Sequence, residues 1–367
     1  MPNKKILLAG GGTAGHVEPA LAVGRWLNDN LPDCRVEFLG TYEGIENTLV
    51  PEAGFPLHKI VKAPLPRGLS VKSALWPLRF LRAMSQVWGV LNDIDLLVGF
   101  GGYVCAPAYL VAKLKRIPIV IHEANALPGW ANNLGMRMGG QGLVGFEETK
   151  ALSRLWAAST FVGVPLRSEV CRLARSTTET REAVRKQKSE DWGFNPSQPI
   201  VVVFGGSLGA MHINATIEQS KSSMVEAGIQ IAHAVGRGNT LPSPSQGYYP
   251  THYFTDMPQA LIAADLVICR SGAITCHELG ALGVYSLLVP LGIGNGEQAK
   301  NAQLLLKEHR AQLIENEAFS PQWLNSNVLG LISQGKKLVG ADHSAVVPLD
   351  AVDRIGNVIL GALEAKR

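Results

Sequence analysis

The sequence predicts an α/β protein made of two similar domains, each a doubly wound parallel sheet. A glycine-rich turn follows an apolar run twice, as LLAGGGTAGHVEP at residues 7–19 and as VVVFGGSLGAMHIN at residues 201–214. The chain also has 367 residues, more than one hydrophobic core usually serves. We therefore expect two Rossmann-like domains that face each other across a cleft.

Short apolar runs alternate with helical patterns, which is typical of parallel sheets covered by helices on both faces. In the first half, strands are predicted near residues 6–9, 36–39, 96–99, 119–122 and 142–144. The series then restarts, with strands predicted near residues 200–204, 229–234, 266–269, 286–289 and 312–314. The polar stretch 171–198 between the two series is predicted to be a solvated helix and linker.

Glycines and polar residues follow the predicted strands, at the sheet edge where open α/β sheets bind ligands. In the first half these segments are GGGTAGH from residue 10, FGGYVCAP from residue 100 and HEANALPG from residue 122. In the second half they are GGSLGA from residue 205, CRSGAITCHE from residue 269 and PLGIGNGEQAKNA from residue 290. Backbone N–H groups at such turns bind anions, so a phosphate-containing ligand is predicted.

Several other classes of protein are disfavoured. Gly10, Gly12 and Gly15 match the dinucleotide fingerprint, but Glu37 lies inside the second predicted strand and Glu43 comes late after it, so a ribose-binding acid at the strand end is missing and NAD is disfavoured. The chain lacks the P-loop ATPase motif, and no apolar stretch is long enough to predict a membrane span. Five cysteines without a C-x-x-C pair predict reduced thiols in a cytoplasmic protein and no zinc site.

A basic window lies between Glu52 and Asp93. It contains no acidic residue and six basic ones, and its segment VKSALWPLRFLRAMSQVWGVL interleaves cations with aromatic and aliphatic side chains. Such a surface suits adsorption to anionic lipid headgroups. An ordinary helix with a buried apolar face and solvated cations is the alternative, and no motif in the window indicates nucleic acid.

Seven motifs, in order and spacing, closely resemble the family-28 glycosyltransferases that add N-acetylglucosamine to lipid I in peptidoglycan synthesis. They are GGGTAGHVEPALAV, GFGGYVCAP, HEANALPG, GVPLR, GGSLGA, CRSGAITCHELGALG and GNGEQAKNA. The resemblance implies a GT-B fold and an inverting transfer from UDP-N-acetylglucosamine to the 4-hydroxyl of the N-acetylmuramoyl residue. It also implies an acceptor- and membrane-binding domain at 1–167, with a C-terminal helix at about 348–367, and a donor-binding domain at 168–347.

By this resemblance the second domain binds the UDP diphosphate at Gly206 and Ser207, while Glu278 accepts hydrogen bonds from the ribose. Gln298 and Asn301 fall where the family reads the sugar. Arg167 would contact the nucleotide-sugar or form an interdomain salt bridge, and Phe254 would frame the uracil through its backbone or serve the core. The predicted donor set is Thr13, Ala14, Gly15, Asn125, Arg167, Gly206, Ser207, Phe254, Ala273, Ile274, Thr275, Cys276, His277, Glu278, Gln298 and Asn301.

His16 is the candidate general base, because a histidine at a helix N-terminus stays neutral and can accept the proton of the attacking hydroxyl. Hydrogen bonding to a phosphate or to the loop backbone is the alternative for His16. Glu123 is a weaker catalytic candidate, more in keeping with a positioning role. The predicted acceptor set is Gly12, Gly101, Gly102, Tyr103 and His122.

The expected partners are UDP-N-acetylglucosamine, undecaprenyl-linked lipid I and an anionic membrane surface on the cytoplasmic side of the cell membrane, with cell-wall synthesis proteins left open. The expected membrane contacts are Lys72, Trp76, Arg79, Phe80 and Arg82. No tightly bound cofactor or protein-bound metal is expected, although a divalent cation from solution could assist. The only D-x-D, at Asp93 and Asp95, precedes a strand and so lies at the wrong end of the sheet.

Two rival functions stay open at this stage. A UDP-N-acetylglucosamine 2-epimerase has a comparable two-domain fold and uses the same nucleotide-sugar, but it needs neither a lipid acceptor nor a basic window. A non-catalytic membrane-bound sensor of nucleotide-sugars would bind the donor without turnover. Dependence of UDP release on lipid I separates both from a transferase.

Overall fold

The computed structural model describes residues 4–64, 75–206, 208–292, 295–339 and 345–365. The chain divides into two compact units, one formed by Met1–Arg167 with Pro348–Arg367 and the other by Ser168–Val347. Each unit has its own parallel sheet with helices on both faces.

The sheet of the first domain has seven parallel strands. They are β1 (Lys5–Ala9), β2 (Arg35–Thr41), β3 (Leu57–Ile60), β4 (Leu96–Gly99), β5 (Ile119–Glu123), β6 (Gln141–Val144) and β7 (Thr160–Phe161), in the order β3-β2-β1-β4-β5-β6-β7. Ile6 in β1 pairs with Val36 on one side and with Leu96 on the other. The order therefore reverses at β1 and β4, and this switch point is where such sheets bind ligands.

Helices cover both faces of this sheet. They are α1 (Ala14–Asn30), α2 (Glu46–Glu52), α3 (Trp76–Val90), α4 (Cys105–Leu114) and α5 (Trp130–Arg137), followed by a 3-10 turn at Glu147–Ala151. Successive strand residues point to opposite faces, so Leu7 packs with Val87 of α3, whereas Leu8 packs with Val17 of α1. The central strands β1 and β4 are almost entirely apolar because helices cover both of their faces.

The second domain repeats this architecture with six parallel strands. They are β8 (Ile200–Phe204), β9 (Gln230–Ala234), β10 (Tyr248–Thr251), β11 (Leu266–Cys269), β12 (Ser286–Leu288) and β13 (Ala311–Leu313), in the order β10-β9-β8-β11-β12-β13. The order again reverses at the first and fourth strands of the unit, β8 and β11. The doubly wound α/β fold predicted for both halves is confirmed.

The helices of the second domain follow the same alternation. They are α6 (Ser168–Ala174), α7 (Thr178–Trp192), α8 (Met211–Glu226), α9 (Met257–Ala263), α10 (Ala273–Leu282), α11 (Glu297–Asn301), α12 (Gln303–Lys307) and α13 (Pro321–Val339). The polar stretch 171–198 is therefore largely helical and part of this domain. Prediction of a linker there was wrong, because Arg181 and Trp192 anchor α7 in buried positions.

The last helix, α14 (Ala351–Glu364), belongs to the first domain and packs against α1. The indole Nε1 of Trp26 donates to Asp353 Oδ1 over 2.7 Å. Gly356 lies against the same indole so closely that an added Cβ would come within 2.2 Å of the ring. The C-terminal helix α14 thus packs closely on α1 of the first domain because Gly356 has no side chain.

Three strands escaped prediction: β3, β7 and β10. Strand β3, LHKI, lies at the edge of its sheet and contains a lysine. Strand β7 has only two residues. Strand β10, YYPT, contains a proline, which is typical of a strand at a sheet edge. All five cysteines are free, as expected. In the part of the chain that the structure describes, no helix has both the length and the apolar character to cross a bilayer.

The buried His233 of the second domain forms a polar cluster with the buried Tyr248 and the half-buried Asn214. Its Nε2 lies 3.1 Å from Asn214 Oδ1 and its Nδ1 lies 3.1 Å from the Tyr248 hydroxyl. The Asn214 amide nitrogen donates to Val235 O over 2.8 Å, which leaves Oδ1 as an acceptor for an Nε2–H. Burial, and secondarily the charge of Lys221, lowers the pKa of His233 to about 4.

This lowered pKa predicts an acid-dependent loss of stability. Between the unfolded pKa of about 6.5 and the folded pKa of about 4, the unfolded chain binds the extra proton, so stability falls as the pH falls. The loss through this group should approach about 3 kcal/mol at the acid end of the window. The free energy of unfolding at each pH can be measured from the hydrogen exchange of the β9 amides in urea, after correction for the intrinsic exchange rates.

His233→Gln supplies the comparison, because an amide does not titrate in this range. We expect its β9 protection to depend less steeply on pH between 6.5 and 4 than that of the parent. Equal pH dependence in the two proteins would contradict the assignment.

Candidate active site

The first site is built at the switch point of the first domain, from the turns that follow β1 and β4. Three glycines in these turns adopt positive φ: Gly12 at +89°, Gly101 at +102° and Gly102 at +87°. An added Cβ on Gly102 would come within 2.5 Å of Gly11 O, so the two turns touch through bare backbone. A side chain at Gly102 would therefore force the two turns apart.

His16 lies in the first turn of α1, half-buried, with its ring against the turn after β4. Its Nδ1 lies 3.2 Å from Gly11 O and 3.3 Å from Thr13 Oγ1. A carbonyl oxygen can only accept, so Nδ1 carries the proton in the neutral ring and Nε2 carries the lone pair. An added Cβ on Gly101 would lie 3.0 Å from Nε2, so this glycine keeps the space beside the basic nitrogen open.

Burial lowers the pKa of His16, and this effect outweighs the opposing influence of Glu123, the Gly11 carbonyl and Glu46. The imidazole is therefore neutral at neutral pH. A neutral ring with a defined tautomer and an accessible nitrogen can accept a proton. The structure shows the contact of His16 Nδ1 with the loop backbone, and the base role of Nε2 stays a prediction.

Glu46 is a site residue that the sequence analysis missed. Its fully buried carboxylate accepts from Gly12 N over 2.9 Å and from Thr41 N over 2.9 Å, and it lies 2.9 Å from Thr41 Oγ1. It joins the end of β2 to the turn after β1. The motif search followed strand ends, and Glu46 lies in a helix several residues farther along, so only the folded chain connects it with the site.

Glu123 ends β5 and is buried. Its two carboxylate oxygens accept four hydrogen bonds, from Asn125 N and Nδ2, from Gly129 N and from Asn132 Nδ2, at 2.9 to 3.2 Å. The neighbouring His122 is fully buried, with Nε2 2.9 Å from Gly163 O. This geometry favours a positioning role for Glu123, which shapes the loop that carries Asn125.

The other predicted residues of this domain surround the β1–α1 turn. Thr13 is the exposed N-cap of α1, and its side chain caps no backbone N–H. Ala14 begins the helix and is absent from the positive-φ residues, so its methyl group causes no backbone strain. Gly15, in the first turn of α1, is half-buried. Tyr103, which follows Gly102 in the turn after β4, is half-buried as well. With no acidic residue in its first turn, α1 presents an N-terminus suited to an anion.

The second site is a cavity of about 630 Å³ at the switch point of the second domain. Its walls come from the turns after β8, β11 and β12 and from the loop after β13. It is lined by Phe204, Gly205, Gly206, Gly209, Ala210, Met211, His212, Arg270, Gly272, Thr275, Leu291, Gly292, Gln298, Asn316 and Glu317. The volume is in the range of small-molecule sites.

Two helices begin at this cavity, α8 and α10. Neither has a side-chain cap or an acidic residue in its first turn, so both leave backbone N–H groups for a ligand. Gly206 and Gly209 adopt φ of +93° and +77°, and an added Cβ on Gly209 would come within 2.0 Å of Val235 O. These glycines are therefore required by the tight turn as well as by access for a ligand.

Arg270 is the cation of the cavity and was not predicted as a site residue. Its Nη1 lies 2.9 Å from Val289 O, 3.0 Å from Pro290 O and 2.8 Å from Asn316 Oδ1. Among the described residues, Nε and Nη2 make no hydrogen bond, which leaves donors for a ligand. Burial lowers the pKa of Arg270, partly offset by Glu317, and the side chain stays charged.

The structure brings together only part of the predicted donor set. Gly206, Thr275 and Gln298 line the cavity, and Gln298 Oε1 accepts from Leu291 N over 2.9 Å. Ala273 and Ile274 belong to the same helix start, whereas Cys276, His277 and Glu278 are buried in α10. Ser207 lies outside the described residues. These assignments stay predictions.

Three further predicted donor residues are not among the cavity-lining side chains. Asn301 is fully buried and its Nδ2 lies 3.3 Å from Ser271 O. Phe254 is buried against Trp192, with ring centroids 6.0 Å apart, so its side chain serves the core. Arg167 is half-buried at the end of the first domain.

The basic helix α3 exposes more apolar surface than an ordinary surface helix. Ala83 and Val87 face the core, and Trp76 stacks on Phe80 at 5.0 Å, with both rings half-buried. The side chains that project into solvent are Leu75, Leu78, Leu81 and Trp88, beside the exposed Arg79 and Arg82. The predicted membrane residue Lys72 lies outside the described residues.

Two parallel sheets whose first six strands share one order, each with uncapped helix N-termini at its switch point, define the GT-B fold class. The model of the glycosyltransferase family 28 N-terminal domain matches residues 6–139, and that of the C-terminal domain matches residues 200–349. The chain therefore belongs to glycosyltransferase family 28.

Curated relatives span both domains. A protein of Corynebacterium glutamicum strain R is 42% identical over 330 residues, covering 89% of each chain, and one of Streptomyces coelicolor is 39% identical over 370 residues, covering 98% of this chain and 99% of its own. Both are named UDP-N-acetylglucosamine–N-acetylmuramyl-(pentapeptide) pyrophosphoryl-undecaprenol N-acetylglucosamine transferase.

Solved structures agree on the fold. MurG of Acinetobacter baumannii superposes with a TM-score of 0.71 at 26% identity and covers 98% of this chain and 99% of its own. A putative UDP-N-acetylglucosamine 2-epimerase of Listeria monocytogenes reaches 0.68 at 13% identity, covering 100% of this chain and 97% of its own. The shared architecture does not separate transferase from epimerase, whereas the family-28 models and the curated relatives do.

The unsatisfied donors of Arg270 predict a role in anion binding. Arg270→Ala should raise the Kd for UDP roughly tenfold or more, because a charge-assisted hydrogen bond is lost. Arg270→Lys keeps the charge without the fork of donors and should give an intermediate Kd. Isothermal titration calorimetry measures the Kd.

Arg172→Ala is the matched control, since Arg172 is an exposed arginine of the same domain that pairs with Glu169. We expect its Kd to equal that of the parent. A Kd for Arg270→Ala within twofold of the parent would rule out the assignment.

Proposed function

We propose that this chain transfers N-acetylglucosamine from UDP-N-acetylglucosamine to undecaprenyl-diphosphate-linked lipid I, giving lipid II and UDP. The observation that carries the proposal is the 39% identity over almost the whole chain to a relative that bears this activity in its name. The acceptor nucleophile is the 4-hydroxyl of the N-acetylmuramoyl residue, and the anomeric configuration inverts.

The second-domain cavity supplies the donor site in this proposal. The N-termini of α8 and α10 and the guanidinium of Arg270 direct positive charge at the diphosphate. Negative charge grows on the UDP oxygen as the glycosidic bond breaks, so these groups stabilise the transition state more than the ground state. The neutral amide of Gln298 suits a sugar hydroxyl or the N-acetyl group.

His16 supplies the base. Its Nε2 accepts the proton from the acceptor hydroxyl while that oxygen attacks the anomeric carbon, and Nδ1 remains bonded to Gly11 O. The N-terminus of α1, which has no side-chain cap and no acidic residue in its first turn, suits the diphosphate of the acceptor. The lowered pKa keeps the ring neutral before the reaction.

No tightly bound cofactor takes part in the proposed mechanism, and a divalent cation from solution is left open. The D-x-D carboxylates have other partners, since Asp95 accepts from Lys4 Nζ over 2.9 Å and from Lys5 N over 3.0 Å. Lys5 Nζ also contacts Asp93. Both aspartates precede β4, at the end of the sheet opposite to the glycine turns.

Turnover with a soluble lipid I analogue tests the activity. UDP release and formation of a disaccharide-linked product should both require the analogue. UDP-N-acetylmannosamine formed without an acceptor would identify an epimerase instead. Donor binding without any turnover of the analogue would identify a nucleotide-sugar sensor.

His16→Ala tests the base. We expect kcat to fall by about 10²- to 10⁴-fold, and the acid limb of the kcat/KM profile, which should lie below pH 6.5, to disappear. In the parent, kcat/KM should fall as the pH drops through the His16 pKa, because the protonated ring cannot accept.

His58→Ala is the control, because His58 is a partly exposed histidine of the same domain that pairs with Glu37 at 2.7 Å. It should retain the parental profile. An active His16→Ala enzyme with an unchanged acid limb would remove His16 from the base role.

We further propose that α3 attaches the first domain to the anionic inner surface of the cell membrane, as a peripheral contact. The exposed leucines and Trp88 would enter the headgroup boundary, while Arg79 and Arg82 would meet lipid phosphates. Lys115 lies 4.6 Å from the centre of the Trp88 ring and adds a cation to the same surface.

The double variant Leu78→Ser, Leu81→Ser tests this contact. Binding to phosphatidylglycerol vesicles, measured by co-sedimentation, should weaken roughly tenfold or more, because two leucine side chains no longer enter the apolar boundary. Leu329→Ser, at an exposed leucine of the second domain, should bind as the parent does. Equal binding by all three proteins would refute the membrane role of α3.

A further inference from the structure

One peptide group connects Glu46 with His16. The N–H of Gly12 donates to Glu46 Oε2 over 2.9 Å, and the carbonyl of Gly11 lies 3.2 Å from His16 Nδ1. These two groups belong to the same peptide bond, which is planar and trans, so its N–H and C=O point in opposite directions. A carboxylate, a peptide and an imidazole therefore form one hydrogen-bonded chain.

The surrounding backbone is shaped around the Glu46 carboxylate. A Cβ added to Gly11 would lie 2.8 Å from Glu46 Oε1, and one added to Gly40 would lie 2.6 Å from Glu46 Cγ. A Cβ added to Gly44 would overlap the Glu46 carboxylate. Three glycines from three separate positions thus leave room for this one side chain. In the described part of the chain Glu46 has no ion pair, so backbone N–H groups balance its charge.

A carboxylate at one end of such a chain acts on the imidazole at the other. It polarises the peptide, which makes the Gly11 carbonyl a better acceptor and favours the proton on Nδ1. Its negative charge also raises the pKa of His16, as does that of Glu123 from β5. Thr13 and the Gly101–Gly102 turn, which also lie beside the ring, are uncharged.

We propose that Glu46 is a positioning residue for His16, and that it acts through the Gly11–Gly12 peptide as the remote carboxylate of a hydrogen-bonded relay. This inference deepens the proposed function and rests on the role of His16 as base. The relay fixes the tautomer in which Nε2 accepts the proton, and it places the negative charge one peptide away from the ring.

Glu46→Gln is the first test. The amide keeps the size of the side chain, but it presents an NH₂ donor to one of the two backbone N–H groups that the carboxylate accepts. Imidazole ¹⁵N shifts of the full-length protein should show a lower His16 pKa and a smaller fraction of the Nδ1–H tautomer. Turnover with the lipid I analogue should show kcat reduced roughly tenfold to a hundredfold, with the KM for the donor unchanged.

Two other variants complete the comparison. Glu46→Asp keeps the charge but withdraws it by one methylene, so it should disturb the tautomer with less effect on the pKa. Glu37→Gln makes the same chemical change on β2, at a carboxylate that pairs with His58, and should leave the His16 signals and kcat as in the parent.

A measurement on the unmodified chain does not depend on how the variants fold. The Gly12 amide resonance should titrate with the same midpoint as His16, because both ends of one peptide sense the proton. A Gly12 amide that does not respond to the His16 titration would overturn the proposal, and so would a Glu46→Gln variant with parental His16 signals. If the His16 signals change while the acid limb of kcat/KM stays in place, the relay is supported and His16 is not the base.

Discussion

The structure depends on a backbone constraint that both domains meet: the turn after the first strand touches the turn after a neighbouring strand, β4 in the first domain and β9 in the second, without side chains between them. An added Cβ on Gly102 would come within 2.5 Å of Gly11 O, and one on Gly236 within 2.2 Å of Gly209 N. The contact holds each strand-to-helix turn in place. Helix N-termini without caps can then face an anion.

The same architecture is used for different chemistry in the two domains. In the second domain the turn is joined by a half-buried arginine, which makes the cavity strongly attractive to a diphosphate. In the first domain the turn is joined by a buried carboxylate and a neutral histidine, which together suit proton removal. In the proposed function, charge of opposite sign thus distinguishes the donor site from the base site on two copies of one fold.

Some of the site could be predicted from the sequence because short motifs fix local geometry. The glycines after β1, β4 and β8, the position of His16 in a first helical turn and the placement of Thr275 and Gln298 all follow from residues near the ends of strands. Arg270 lies within the motif CRSGAITCHE but was not singled out as a site residue, and Glu46 lies outside all of the motifs. Glu46 reaches the site from α2, and Arg270 depends on acceptors 19 to 46 residues away.

By itself the sequence determined the α/β class, the duplication, the loops that carry ligands and the family, since alternating apolar runs and glycine turns are local properties. The tertiary structure alone decided which side chains are buried and which contacts they make. It buried Phe254 and Asn301, turned Trp76 and Phe80 partly toward the core and exposed Leu78 and Leu81 instead. It also set the tautomer of His16, because that depends on which acceptor the fold places beside Nδ1.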